Sequence, residues 1–473
     1  MMALASLLVA AALGYCAVRL WLPGDRGSSP WKHVLDAGLG IGLGIGLTSV
    51  LYFLLLLAGL AKVSVISACE VLALCALGAM LLRQRQEVPP DVPALAPPFR
   101  WSWIAALGLV AMLALFVAGF STLSGLNPQG GWDAFAIWNL RARYLLQSET
   151  WRYAVTTLPV GTHMEYPLLL SSAVARGWQY AGETNTLAPV AIAFLFPLSL
   201  VGLLVSALAL KRRTSLGLLA GVVLLAHPAL LDQAVSQYSD LPLACFATAA
   251  LALIALQEEA SATRYLTLAG CFAGLATWTK NEGLLLLLAV AAGLLAETWR
   301  RGGSGAGLRR CGAFLAGALP VLLLTLWFKM AVAPHDPLAG NLGGKMGETL
   351  ANPGRWMHVA GGFLQHAWEF ALPLVLLAAV AALLRLRPRE ACGAAVWINA
   401  PGFAVATALA GYVLIFVLTP DDLDWLLGTA LDRLYLQLWP VLVLAVCLSI
   451  RSPEECGVGL AGTARDRKGA KGR

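Results

Sequence analysis

Acids and bases are scarce in this sequence, and those able to do chemistry fall in five short stretches. Gly131-Trp132-Asp133 leads into Trp138-Asn139-Leu140-Arg141 and Arg143. His163-Met164-Glu165-Tyr166-Pro167 follows, then Ser239-Asp240-Leu241-Pro242 and Thr279-Lys280-Asn281-Glu282-Gly283. Asp421, Asp422, Asp424, Asp432 and Arg433 come last. A carboxylate can align a hydroxyl and take its proton. Lys280, Arg141, Arg143 and Arg433 can meet the negative charge that grows on a leaving phosphate. Each residue also has a plainer reading. Lys280 and Glu282 can tie helices together, Arg141 and Arg143 can snorkel to lipid phosphates, and Asp421–Asp424 can be a solvated acidic loop.

Metal chemistry has less support. His163, His335, His358 and His366 are scattered, and no HExxH occurs. The nine cysteines show no CxxC or Cys/His metal spacing and read as small apolar packing residues. No metal or cofactor is expected.

These stretches sit in an unusual chain. Of 473 residues, 59% are hydrophobic and 12% charged, against about 25% charged in soluble proteins; mean hydropathy is +0.74. A water-soluble fold cannot hide that much apolar surface, which excludes a soluble enzyme, a disordered chain and a nucleic-acid-binding domain. A bilayer span needs about 20 apolar residues. Thirteen candidates occur, near 3–22, 34–60, 63–82, 102–122, 187–210, 214–231, 241–256, 265–279, 283–298, 311–328, 359–384, 391–418 and 435–450. Threading these with the N-terminus outside leaves 23 of the 33 Lys and Arg on the inner side, including Arg385, Arg387, Arg389 and the Arg465–Arg473 tail. That bias orients the bundle with a cytoplasmic C-terminus, and it accounts for the net charge of +7 without a nucleic acid. The first span lacks a charged n-region and reads as a retained helix rather than a signal peptide.

Three long segments then lie outside, at about 123–186, 329–358 and 419–434, and the chemistry-bearing stretches fall there or at outer helix ends. Trp132, Phe135, Trp138, Ala142 and Leu145 recur at helical steps and, with arginines beside them, suit an interfacial helix. A second interfacial helix of about 16 residues is expected from Pro167 to Gly182, with Pro167 in its first turn. His227-Pro228 reads as a proline kink. Gly38, Gly40, Gly42, Gly44 and Gly46 suit close helix packing.

The sequence follows a fixed order. A span leads to a long outer loop with an early acid, and then to an acid-Tyr-Pro-Leu stretch. After these come Ser-Asp-Leu-Pro, then Gly-Leu-Ala-Thr-Trp-Thr-Lys-Asn-Glu-Gly, and an arginine before the last helix. Over residues 100–450 this resembles the GT-C glycosyltransferases of the protein-mannosyltransferase and aminoarabinose-transferase type. The resemblance implies an all-α polytopic membrane protein of about thirteen spans with outer-face interfacial helices. Residues 1–100 stand outside it as a three-helix extension, 101–450 form the catalytic region around loop 123–186, and 451–473 form a basic inner tail.

The resemblance further implies an inverting enzyme of the bacterial inner membrane. It would move a sugar from a polyprenyl-phosphate donor to a lipid, glycan or protein acceptor of the envelope. Asp133 matches the family's acidic residue that serves as catalytic base or acceptor ligand, and Glu165 its second polar position; this chain has Trp132-Asp133-Ala134 where the family often has adjacent acids. Lys280 matches a recurring lysine. Arg141, Arg143, His163, Tyr166, Asp240, Glu282 and Arg433 are expected with Lys280 around substrate and phosphate. A secondary transporter or a noncatalytic envelope-assembly protein is the alternative. No convincing repeat of the transporter kind is visible.

Overall fold

A computed structural model describes residues 1–22, 29–84, 102–159, 161–211, 213–301, 304–334, 346–383 and 399–453. His335, Arg385, Arg387, Arg389, Cys392 and nearly all of the 451–473 tail lie outside the described residues. The described chain is helical, with no extended strand.

Among the described residues nine helices are long and apolar enough to cross a bilayer. They are α1 (Met2–Trp21), α2 (Pro30–Leu57), α3 (Val63–Gln84), α4 (Ser102–Leu126), α8 (Leu187–Leu210), α13 (Glu282–Arg301), α14 (Ser304–Ala331), α17 (Ala400–Leu418) and α18 (Leu423–Ser449). Two bent elements raise the number to eleven. One is α9 (Thr214–Ala226) with α10 (Pro228–Val235), bent by 62°. The other is α16 (Pro353–Leu383), which follows the short α15 (Met346–Leu350) and is bent by 52°. The chain is therefore a polytopic membrane protein with nine to eleven candidate spans among the described residues, against the thirteen expected.

The difference lies in α11 (Asp240–Leu256) and α12 (Ala262–Thr279). At 17 residues, α11 rises about 26 Å, short of the roughly 30 Å hydrocarbon layer. Thr263, Arg264, Tyr265, Thr267, Thr277 and Thr279 dilute the apolar character of α12. Both helices are packed inside the bundle.

The glycines of α2 explain its central place. A two-residue period on a helix sends successive glycines to opposite sides. Gly40 and Gly44 approach the backbone of α1 at Tyr15 and Ala10, leaving no room for a Cβ. Gly38, Gly42 and Gly46 face Leu203 of α8, Phe246 of α11 and Leu275 of α12. The first three helices thus share a core with the rest.

The long loop after α4 differs from its expected form. A π-helical turn, Ala134–Asn139, leads into α5 (Leu140–Tyr144). The wider turn breaks the expected face: Trp132 and Phe135 are exposed, whereas Trp138, Ala142 and Leu145 are buried. After the short α6 (Tyr153–Thr156) comes α7 (Leu169–Ala181). It starts two residues beyond Pro167 and is buried along Leu169–Trp178. It is an internal helix of 13 residues packed against α1, α2 and α8, not the surface-lying helix expected. Its arginine, Arg176, finds a buried carboxylate, Glu70 of α3, so it has no need of headgroup water.

Candidate functional site

Five charged residues from four places in the chain form one connected ladder. Asp240 opens α11 and is fully buried. Its Oδ2 accepts from Arg433 Nε and Nη2 at 3.0 and 2.8 Å. Its Oδ1 accepts from Lys280 Nζ at 3.2 Å and Gln437 Nε2 at 2.6 Å. Arg433 Nη2 also reaches Asp133 at 2.7 Å, and Lys280 reaches Glu282 Oε1 at 2.7 Å.

Local backbone chemistry explains how each residue arrives. Gly130 has φ +75°, and Gly131 donates its N–H to the Ser236 carbonyl at 3.0 Å. A side chain at either glycine would strike the Ser236–Tyr238 turn; the two glycines let Asp133 close on that turn. Gln237 holds a left-handed φ of 57° there and donates to the Pro128 carbonyl at 3.0 Å. Lys280 is extended, with φ −159° and ψ 163°, in the break between α12 and α13. Gly283 lets the start of α13 lie against the Ala276 carbonyl, where a Cβ could not fit. Arg433 and Gln437 share one face of α18 at i,i+4. Tyr412 of α17 donates to Gln437 Oε1 at 2.6 Å. That bond fixes the amide so that its NH₂ faces Asp240.

Aromatic rings roof the cations. Lys280 Nζ lies 5.7 Å from the Tyr166 ring centroid, and the Arg433 guanidinium 4.5 Å from that of Tyr238. Tyr166 stacks between Trp138 at 5.8 Å and His163 at 4.5 Å. His163, in a left-handed conformation at φ 47°, contacts Glu165 at 2.9 Å. Burial works against the Glu165 carboxylate, but the hydrogen bond and charge of His163, a backbone bond and the Lys329 charge hold it below its ordinary range. Burial and the Glu282 and Glu165 charges push the Tyr166 phenol well above its ordinary range; it stays a neutral hydroxyl at physiological pH. Burial and the Asp133 charge raise Tyr238 in the same sense.

The structure thus gathers Asp133, Asp240, Lys280, Glu282 and Arg433, with Tyr166 above Lys280 and the His163–Glu165 pair joined on through that ring. It does not bring Arg141 and Arg143 there. Arg141 is fully buried and donates to the carbonyls of Ala154, His163, Met164 and Tyr166 at 2.7–3.3 Å. It is a strut inside the loop that carries Tyr166. Burial lowers its pKa to about 9, against the Glu165 charge, which still leaves it charged at neutral pH. Arg143 is exposed.

The late acids act locally. Asp422 caps α18 by accepting from the Trp425 N–H at 2.8 Å, Asp421 accepts from Thr419 at 3.0 Å, and Asp424 meets His358 at 2.9 Å. Among the described residues no three His, Cys, Asp or Glu side chains are placed to hold a metal ion. The bend after α9 falls at His227-Pro228, where His227 Nδ1 accepts from the Ala229 N–H at 3.2 Å.

Gln437, Tyr412 and Tyr238 belong to the site and were not among the expected residues. The signal for Gln437 was present: an amide four residues after Arg433 in an otherwise apolar helix. Nothing in the sequence marks Tyr412 out among the chain's ten tyrosines.

Three carboxylates face two cations, an excess of one negative charge among groups at most 18% exposed. An anionic ligand at either cation would meet this carboxylate charge. Asp133 and Glu282, at the ends of the ladder, are its partly exposed carboxylates.

No protein-family model, curated protein or solved structure matches this chain.

Proposed function

We propose that this protein is a membrane glycosyltransferase of the GT-C type. In this reading it moves a sugar from a polyprenyl phosphate to an envelope acceptor on the outer face of the bacterial plasma membrane, with its C-terminus in the cytoplasm. The observation that supports it is the ladder Asp133–Arg433–Asp240–Lys280–Glu282. It pairs a partly exposed carboxylate, Asp133, with two cations carried by apolar helices and their breaks. A polyprenyl chain stays in the bilayer, since each CH₂ withdrawn costs about 0.8 kcal/mol. The reaction must then come to the membrane edge.

In this reading each group has one role. The acceptor oxygen attacks the anomeric carbon from the face opposite the phosphate. As the new C–O bond forms, the bond to the phosphate oxygen breaks, and the phosphate leaves with the electron pair. Arg433 and Lys280 meet that charge. Asp133 takes the acceptor's proton. Asp240 is too deeply buried and too fully bonded to serve as a base; it aims both cations. Tyr166, neutral at working pH, contributes a ring over Lys280 and a hydroxyl donor. The decisive test is transfer in proteoliposomes loaded with extracted polyprenyl-phosphate sugars, with Asp133→Asn as the control.

The excess carboxylate favours a second reading, a proton- or cation-coupled transporter. Uptake driven by an imposed ion gradient, with no glycolipid product, would decide for it.

A further inference from the structure

All three N-terminal helices reach into the segment that carries Asp133 and Tyr166. From α3, Glu70 accepts from Arg176 Nε and Nη2 of α7, both at 2.6 Å, and from the Tyr180 hydroxyl at 2.7 Å. Both Glu70 and Arg176 are buried, at 0% and 1% exposure. From α1, the Ser6 carbonyl accepts from Arg176 Nη2 at 3.0 Å. From α2, Ser49 donates to the Leu169 carbonyl at 2.8 Å and Tyr52 to the Leu145 carbonyl at 2.7 Å.

The cost of the Glu70–Arg176 pair argues for a purpose. Most of α3 is exposed along its apolar length, with only 11% of its hydrophobic window buried. It would lie in lipid without any charge. An ionised group inside such a helix is costly and persists where it has a role. Glu70 gives α3 its hydrogen bonds to α7, and α7 leads to the site by two short routes. Its first turn begins three residues after Tyr166. Ser171 in that turn donates to the Trp138 carbonyl at 2.9 Å, and Trp138 stacks on Tyr166. A shift of α7 therefore moves Tyr166 and the π turn behind Asp133 together.

We infer that Glu70 and Arg176 are positioning residues. The N-terminal helices, through this pair, set the register of α7 and so hold the Tyr166 loop and the Asp133 turn against α11, α12 and α18. This holds whatever the site binds, so its failure and the failure of the glycosyltransferase reading are separate results.

Amide hydrogen exchange of the full chain in lipid nanodiscs tests it. The double variant Glu70→Met/Arg176→Met removes both charges and leaves apolar side chains of similar length, a replacement that buried ion pairs often tolerate. The expected result is exchange at least tenfold faster over residues 132–145 and 163–168, with α8 and α11 unchanged. A pair that only glues α3 to its neighbours would raise exchange in α3 and leave those two segments as in the wild type, and that pattern overturns the inference. Should the double variant not be recovered as a monodisperse protein, Tyr180→Phe keeps both charges and removes one hydrogen bond to Glu70. Severalfold faster exchange in the same two segments is then expected. Wild-type protection there overturns the inference equally.

Discussion

Asp133→Asn should tighten binding of a polyprenyl phosphate while abolishing transfer. The Asp133 carboxylate stands 2.7 Å from Arg433 Nη2, the cation that the proposed reading assigns to the donor phosphate. Asparagine keeps the shape and removes the competing charge. Two unit charges about 4 Å apart attract by about 4 kcal/mol at an effective dielectric of 20. Hydration of the displaced carboxylate offsets much of this, because Asp133 and Arg433 are 16% and 17% exposed. A net gain of about 1–2 kcal/mol remains, a Kd lower by about 5- to 30-fold. Loss of the base should lower turnover by about 100-fold or more.

The assay is titration of purified protein in nanodiscs with a short polyprenyl phosphate, beside transfer from extracted donor lipid. Weaker binding by the Asp133→Asn variant would make Asp133 a ligand of the phosphate, through a bridging cation, and refute the competition. Unchanged turnover would remove Asp133 from the chemistry. Wild-type protein that binds no polyprenyl phosphate at all would refute the donor itself.

Lys280→Met leaves Glu282 without its cation and should weaken phosphate binding at least tenfold. Lys280→Arg should not restore it, because the ammonium sits in a slot 5% exposed that a planar guanidinium does not fit; full rescue by arginine would contradict the compact slot. Tyr412→Phe frees the Gln437 amide to rotate and should cost about 1 kcal/mol of stability, read as a lower melting temperature without loss of expression. Glu165 has a lowered pKa in the folded chain. Its stabilising contribution is therefore complete above the ordinary carboxylate value of about 4.3 and fades as pH falls through the lower folded value. Melting curves from pH 6 to 3 should drop more steeply for the wild type than for Glu165→Gln, and parallel curves would count against the His163–Glu165 pair. In a cysteine-free background, a cysteine at the exposed Trp132 should react with an impermeant reagent in intact cells and one at Ala470 should not; the reverse pattern overturns the assigned orientation.

Much of this architecture can be read from the sequence because a membrane helix announces itself by composition. Every expected span contains a helix in the described residues, and the glycines of α2 pack closely as their spacing suggests. The number of spans was less legible. Length decides it for α11 and scattered hydroxyls for α12, and both helices are sheltered by neighbours that no local pattern reveals. The loop failed for a different reason. Helical periodicity assumes one turn geometry, and the π turn at Ala134–Asn139 sends Trp132 and Trp138 to different environments. For α7, a single arginine suggested water; its partner Glu70 lies 106 residues away in sequence, and a pairing at that distance leaves no local trace. The site itself was half legible. Asp133, Asp240, Lys280, Glu282 and Arg433 stood out because charge is rare here, but which cations would be engaged by backbone, as Arg141 is, depends on tertiary contacts alone.

The ladder also bears on why these charges lie at breaks in helices. Lys280 falls between α12 and α13, Asp240 opens α11, and Asp133 opens the π turn. A charge in mid-helix is carried on a rod whose position is set by packing along its whole length. A charge at a break is carried on backbone whose own polar groups also need partners, so ligand and backbone compete for the same contacts. Arg433 is the exception, held inside α18 and braced by Asp240, to which Gln437 one turn on also donates. A fixed arginine facing the partly exposed Asp133 carboxylate suits a site in which the cation and the buried Asp240 stay in place and Asp133 gives way to an incoming anion. The prediction for Asp133→Asn asks for this exchange, and the anchoring of α7 by Glu70 limits how far the Asp133 end can travel.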